Sequence, residues 1–94
     1  MKESSIVKKI RDYAEANGAV VVKYTGGPYA ERGVSDLLMV WSGIFIACET
    51  KVPGKKPTPA QLLFLKRVAD AGGLAFWCDS FEKFKEAVAP LVDK

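Results

Sequence analysis

Two acids and a lysine interrupt an otherwise apolar stretch, SDLLMVWSGIFIACETK (residues 35–51): Asp36 stands near its start, and Glu49 and Lys51 close it. Strands that look this buried seldom keep charges unless the charges are paired or bind an ion. Ser42-Gly43 divides the stretch, and a two-residue turn there sets Trp41 against Ile44 and Asp36 against Glu49. Opposed residues in an antiparallel pair hold their Cβ atoms about 4.5–5.5 Å apart, where like charges repel. Alternation puts Lys51 on the Glu49 face, across from Val34. A hard divalent cation relieves that repulsion; Mg²⁺ commonly uses one or two carboxylates plus substrate phosphates. Such an ion would activate water and stabilise charge on a phosphodiester, with the lysine holding the nucleophile or the developing charge. The competing reading is a salt-bridged strand end in which Lys51 neutralises both acids and nothing binds.

The elements that must position these side chains follow from periodicity. Ile6, Val7, Ile10, Tyr13 and Ala14 recur at helical spacing, and Asn17-Gly18 ends that helix. AVVVKY (19–24) is short and β-branched, hence a strand, and TGGPYAERG (25–33) is a glycine-rich loop. The hairpin follows, then a basic loop, VPGKKP (52–57). Thr58-Pro59-Ala60-Gln61 opens a helix with an N-cap, a proline at the first helical position and a glutamine three after the cap. That helix ends at Gly72-Gly73, LAFWCD (74–79) is a strand, and a last helix starts near Ser80 with Phe81, Phe84, Val88 and Leu91 on one stripe. The order is α-β-β-β-α-β-α. Both faces of the hairpin are apolar below its charged end, which predicts a sheet with helices on both sides.

Bulk properties narrow the chemistry. A chain of 94 residues fits one domain, 1–94, with one core. No apolar run approaches the roughly 20 residues that span a bilayer, and MKESSIVKKI does not read as a signal peptide, so a cytoplasmic protein is expected. There is no histidine, which removes Ser-His-Asp and Cys-His catalysis, and with two cysteines it leaves no zinc cluster. Cys48 and Cys78 lie in strand-like runs and read as buried free thiols. From Thr50 to Ala69 there is no acid, while Lys51, Lys55, Lys56, Lys66 and Arg67 all fall there. The net charge of +3 is modest, but if Glu3, Asp36 and Glu49 bind a cation the remaining balance suits a polyanion such as nucleic acid.

The chain resembles the virus-type replication-repair nuclease (VRR-NUC) domain of the PD-(D/E)xK nuclease superfamily. The matching pieces are Glu3 at the start of the first helix, RGVSD (32–36), ETK (49–51) and TPAQ (58–61) ahead of the glycine pair, in order over nearly the whole chain. Ser35 departs from the pattern, since the family usually has proline before the aspartate; proline there stiffens the approach to the strand. The resemblance implies an α/β restriction-endonuclease-like core with a mixed sheet. It implies Mg²⁺ or Mn²⁺ on Asp36 and Glu49, with the Thr50 backbone carbonyl as a further ligand and Lys51 orienting or activating water. Glu3 would hold a water on the ion or a second ion. It also gives Gln61, which helical geometry turns toward the sheet, a part in positioning substrate or water beside its capping role.

Lys23, Arg32, Lys55 and Lys56 are the candidate phosphate contacts, and Tyr24, Tyr29 and the glycines at 26–27 a candidate DNA-facing loop. Leu63 sits on the polar side of its helix as a candidate subunit contact. Cutting two strands with one site per chain favours a symmetric dimer. The leading expectation is therefore a metal-dependent DNA endonuclease acting on branched or Holliday-junction-like DNA in phage or bacterial replication and repair. The alternatives are a non-catalytic nucleic-acid-binding module built on the basic 51–67 segment, and a protein-interaction domain whose acid pair is structural. The first alternative binds DNA without metal, and the second is indifferent to divalent ions.

Overall fold

Seven elements follow one another in the computed structural model, which describes residues 2–28 and 30–92. They are α1 (Glu3–Ala16), β1 (Val20–Lys23), β2 (Leu37–Trp41), β3 (Ile44–Thr50), α2 (Pro59–Asp70), β4 (Leu74–Cys78) and α3 (Phe81–Val92). The strands form one sheet in the order β1-β2-β3-β4. The first three pair antiparallel, and β4 joins β3 in parallel after the α2 crossover. The mixed sheet that the resemblance implies and the α-β-β-β-α-β-α order expected from periodicity are both present.

The β2–β3 register runs from Trp41↔Ile44 to Leu37↔Cys48. It is set by a turn in which Ser42 and Gly43 both have positive φ, 52° and 79°. That is the two-residue hairpin geometry whose twist matches paired strands. The ladder stops one pair short of Asp36, so Asp36 stands just outside β2 at the level of Glu49.

The core lies on one face. Ile6, Ile10 and Ala14 of α1 and Phe84 and Val88 of α3 cover Leu37, Met39, Trp41, Ile46 and Cys48. Tyr13 packs edge-on against Trp41 and Phe81, with ring centroids 6.1 and 5.5 Å apart. Cys48 and Cys78 are free and buried there, their sulfurs 3.8 Å apart.

The second face is covered in part. The α2 helix crosses from β3 to β4 and lies over that half of the sheet, its Phe64 and Val68 beside Phe45 and Gly73. Among the described residues no helix connects β1 to β2 and none shields their outer face: Val20 is 68% exposed, Val22 55% and Val40 50%, with Phe45 of neighbouring β3 at 43%. Helices on both sides are therefore observed, but the β1–β2 half of one side remains open. Among the described residues no helix is long and apolar enough to cross a membrane.

Candidate active site

Two hydrogen-bonded groups meet at the end of the sheet where β2 starts and β3 stops. In the first, Glu49 is a buried acid, 4% exposed. Its Oε2 accepts from Gln61 Nε2 at 3.2 Å and pairs with Lys51 Nζ at 3.5 Å. Its Oε1 is buried with no hydrogen-bond partner among the described residues. Alternation along β3 turns Glu49 and Lys51 to the α2 face, as the register predicts. Gln61 caps its helix and reaches Glu49 at once. Its Oε1 accepts from the Thr58 amide at 2.9 Å and its amide donates to Thr58 Oγ1 at 3.2 Å, closing the capping box. The free Nε2 is then aimed at Glu49.

In the second group, Asp36 is half-buried. Its Oδ1 accepts from the Thr50 amide at 2.9 Å, and its Oδ2 accepts from the Thr50 hydroxyl. The same hydroxyl lies 3.3 Å from Glu3 Oε1, which brings the first turn of α1 to the site. Asp36 and Glu49 both line a cleft of about 360 Å³ roofed by the glycine-rich loop, with Tyr24, Arg32 and Gly33 on its wall.

Electrostatics in the cleft oppose ionisation of the acids. Burial pushes Glu49 up to about 7; the Asp36 charge adds to the rise and Lys51 opposes it. Burial also raises Asp36, against the hydrogen bonds from Thr50 and the charge of Lys23. Each acid therefore gains from positive charge delivered between them.

A hard cation fits this donor set. Glu49 Oε1 is a buried oxygen lone-pair site without a partner, which native proteins rarely leave unfilled. Asp36 keeps lone pairs beyond the two that Thr50 uses. Among the described residues no three of His, Cys, Asp and Glu converge as a ready-made cluster. A Mg²⁺-type ion does not need one, since it draws remaining ligands from water and phosphate.

No family model matches the chain, and no curated protein does. A solved structure described as a "VRR_NUC domain" superposes with a TM-score of 0.78, over 93% of this chain and 94% of its own, at 27% identity. The chain has the fold of a VRR-NUC domain.

Within this fold, Asp36, Glu49, Thr50, Lys51, Gln61 and Glu3 come together as described. Lys23, at the end of β1, is exposed and close enough to act on Asp36. Arg32 is exposed on the cleft wall. Lys55 and Lys56 are exposed in the loop before α2, where the Lys55 amide donates to Val52 O at 3.1 Å, and neither lines the cleft. Tyr29 lies outside the described residues. The side chain of Thr50 and the backbone of Gly33 escaped notice in the sequence. Thr50 carried a signal, a hydroxyl at a position whose strand neighbours on the same face, Cys48 and Ile46, are apolar and buried. Gly33 carried none, because its role depends on α2 arriving from elsewhere.

Proposed function

We propose that the chain, as a single domain of residues 1–94, is a Mg²⁺- or Mn²⁺-dependent DNA endonuclease. The observation that carries this is Glu49: a buried carboxylate with one unpartnered oxygen, held between Lys51 and Gln61 and facing the Asp36 cleft. Asp36 and Glu49 would hold the cation, joined by the Thr50 carbonyl and, through water or a second ion, Glu3. Bound there, the ion supplies water activation and neutralisation of charge at the scissile phosphate. Lys51, drawn in by Glu49, presents an ammonium to the attacking water or to charge building on the phosphate. Gln61 keeps Glu49 turned into the cleft, and its amide is available to orient water or substrate. Lys23, Arg32, Lys55 and Lys56 meet backbone phosphates, which set register rather than sequence.

The substrate class is DNA with branches or junctions, of the kind formed in replication and repair in a bacterial or phage-infected cell, where the protein acts in the cytoplasm. The acting form is a homodimer, because two cuts by a chain with one site need two chains. The open face of Val20, Val22, Val40 and Phe45 is the surface we assign to the second copy: a two-fold pair buries the same apolar strip on both chains.

The test compares wild type with Lys51→Ala on plasmid and four-way-junction DNA in Mn²⁺. Wild type cleaves, and the folded variant loses at least about a hundredfold in rate, the scale on which removal of one transition-state donor is felt. Equal cleavage by both proteins contradicts the assignment.

A second reading, a nucleic-acid-binding module without catalysis, is favoured by the acid-free basic segment 51–67, with Lys55 and Lys56 exposed in it. That module binds DNA through residues 51–67 with steep salt dependence, and chelation leaves its affinity unchanged.

A further inference from the structure

The middle residue of the Glu49-Thr50-Lys51 triplet takes part through its side chain as well as its backbone. The Lys51 amide donates to Cys78 O of β4 at 2.9 Å. Amides along a strand alternate in direction, so the Thr50 amide points the other way, toward β2. There the ladder has already ended at Leu37↔Cys48. The carbonyl of Asp36 is also spoken for, accepting from the Tyr24 amide of the β1 side at 2.7 Å. Thr50 is fully buried, so its amide cannot turn to water and needs an acceptor inside the protein. The Asp36 carboxylate is that acceptor.

A single amide bond would leave the carboxylate free to rotate about χ2, which is a broad, weakly held torsion. The Thr50 hydroxyl removes this freedom by donating to the second oxygen. The two bonds from one residue, amide to Oδ1 and hydroxyl to Oδ2, fix both the position and the plane of the carboxylate. What remains of its lone pairs is directed away from Thr50. The hydroxyl also lies against Glu3 Oε1, and it has one proton, already given to Asp36 in this arrangement. The threonine methyl, packed where water is excluded, holds the hydroxyl in one rotamer, since β-branched side chains are stiff at χ1.

We propose that Thr50 is a positioning residue: its amide and hydroxyl clamp Asp36 at two points and present a preformed carboxylate edge to a divalent cation. The proposal rests on the nuclease reading above, and it concerns the side chain, whereas that reading uses only the Thr50 carbonyl. Removing the hydroxyl leaves the amide bond and every proposed ligand in place, so the loss should appear as weaker cation binding. Partners that orient metal ligands are typically worth 10–100-fold in metal affinity.

The experiment is Mn²⁺ titration by calorimetry on wild type, Thr50→Val, Thr50→Ala and Thr50→Ser, in the absence of DNA, with far-UV circular dichroism on each. Thr50→Val keeps the shape and loses the hydroxyl; Thr50→Ala serves if valine disturbs folding; Thr50→Ser restores the donor. The expected result is Mn²⁺ affinity lower by about 10–100-fold in the valine and alanine variants and largely recovered in serine. At saturating Mn²⁺ the DNA KM stays near wild type, because no phosphate contact has changed. A folded valine or alanine variant that binds Mn²⁺ as wild type does overturns the clamp while leaving the nuclease reading intact. A serine variant as weak as alanine overturns it too. Wild type that fails to bind Mn²⁺ and fails to cut DNA removes the nuclease reading and the clamp with it.

Discussion

Glu49 owes its raised pKa, about 7, first to burial and then to the Asp36 charge. In an unfolded chain the same group titrates near its ordinary value of 4.5. Between those two values the folded protein keeps a proton that the unfolded chain has released. Stability contributed by this group is therefore present below the lower value and declines as pH rises through the higher one. In chelator, the melting temperature should fall more steeply between pH 5 and 8 for wild type than for Glu49→Gln, whose amide does not titrate. Parallel pH profiles for the two proteins would show that Glu49 is solvated and ordinary. A divalent cation should reverse the trend above pH 7, since it replaces the lost proton as the neutralising charge. At about a hundredfold over its dissociation constant it would add roughly 2.7 kcal/mol.

The elements bring the two hydrogen-bonded groups into one cleft through a single close approach. Gly33 has φ +78°, and a Cβ added there would lie 2.3 Å from Ala60 O and 3.0 Å from Gln61 N. The loop leading to Asp36 is thus pressed against the first turn of α2, the turn that carries Gln61. Any side chain at position 33 must push the two apart. Gly33→Ala should cost about 1–2 kcal/mol for the left-handed backbone alone, with the collision in addition. The expected readout is a drop in melting temperature of roughly 10 °C, with the loss of cleavage exceeding the loss of folded protein. Gly27, which has open space around its Cβ position, is the control for stability, and Gly27→Ala should melt close to wild type. Comparable damage from both substitutions would mean that the loop, not the approach to α2, is what alanine disturbs.

Across the whole molecule, the unusual feature is an α/β sheet with one half of one face unshielded. Val20, Val22, Val40 and Phe45 lie together on that half, and Leu62 and Leu63 are exposed on α2 at 47% and 59%. The second copy proposed above would cover apolar side chains that the single chain leaves in water. Sedimentation should give a dimer for wild type, and Val40→Lys should shift it to monomer with the fold retained, because Val40 is half exposed and is not among the core residues. A monomer at all concentrations, or a Val40→Lys dimer, contradicts this interface.

Local pattern was enough for the order of the elements, the capping box at Thr58 and the hairpin register, because each follows from residues within one turn of a helix or one span of a strand. The register in turn placed Glu49 and Lys51 on one face and Asp36 at their level, so most of the candidate site was legible before any coordinates. Three matters were decided only by packing. The ladder ends before Asp36, so its carboxylate takes a buried amide and hydroxyl of Thr50 instead of simply facing Glu49. Gln61 reaches Glu49 while still capping its helix, a contact between elements that no local pattern encodes. The β1–β2 face stays open because the one crossover helix lies over β3 and β4, and which half of a sheet a helix shields depends on where the chain returns, not on the residues of the strands it leaves bare.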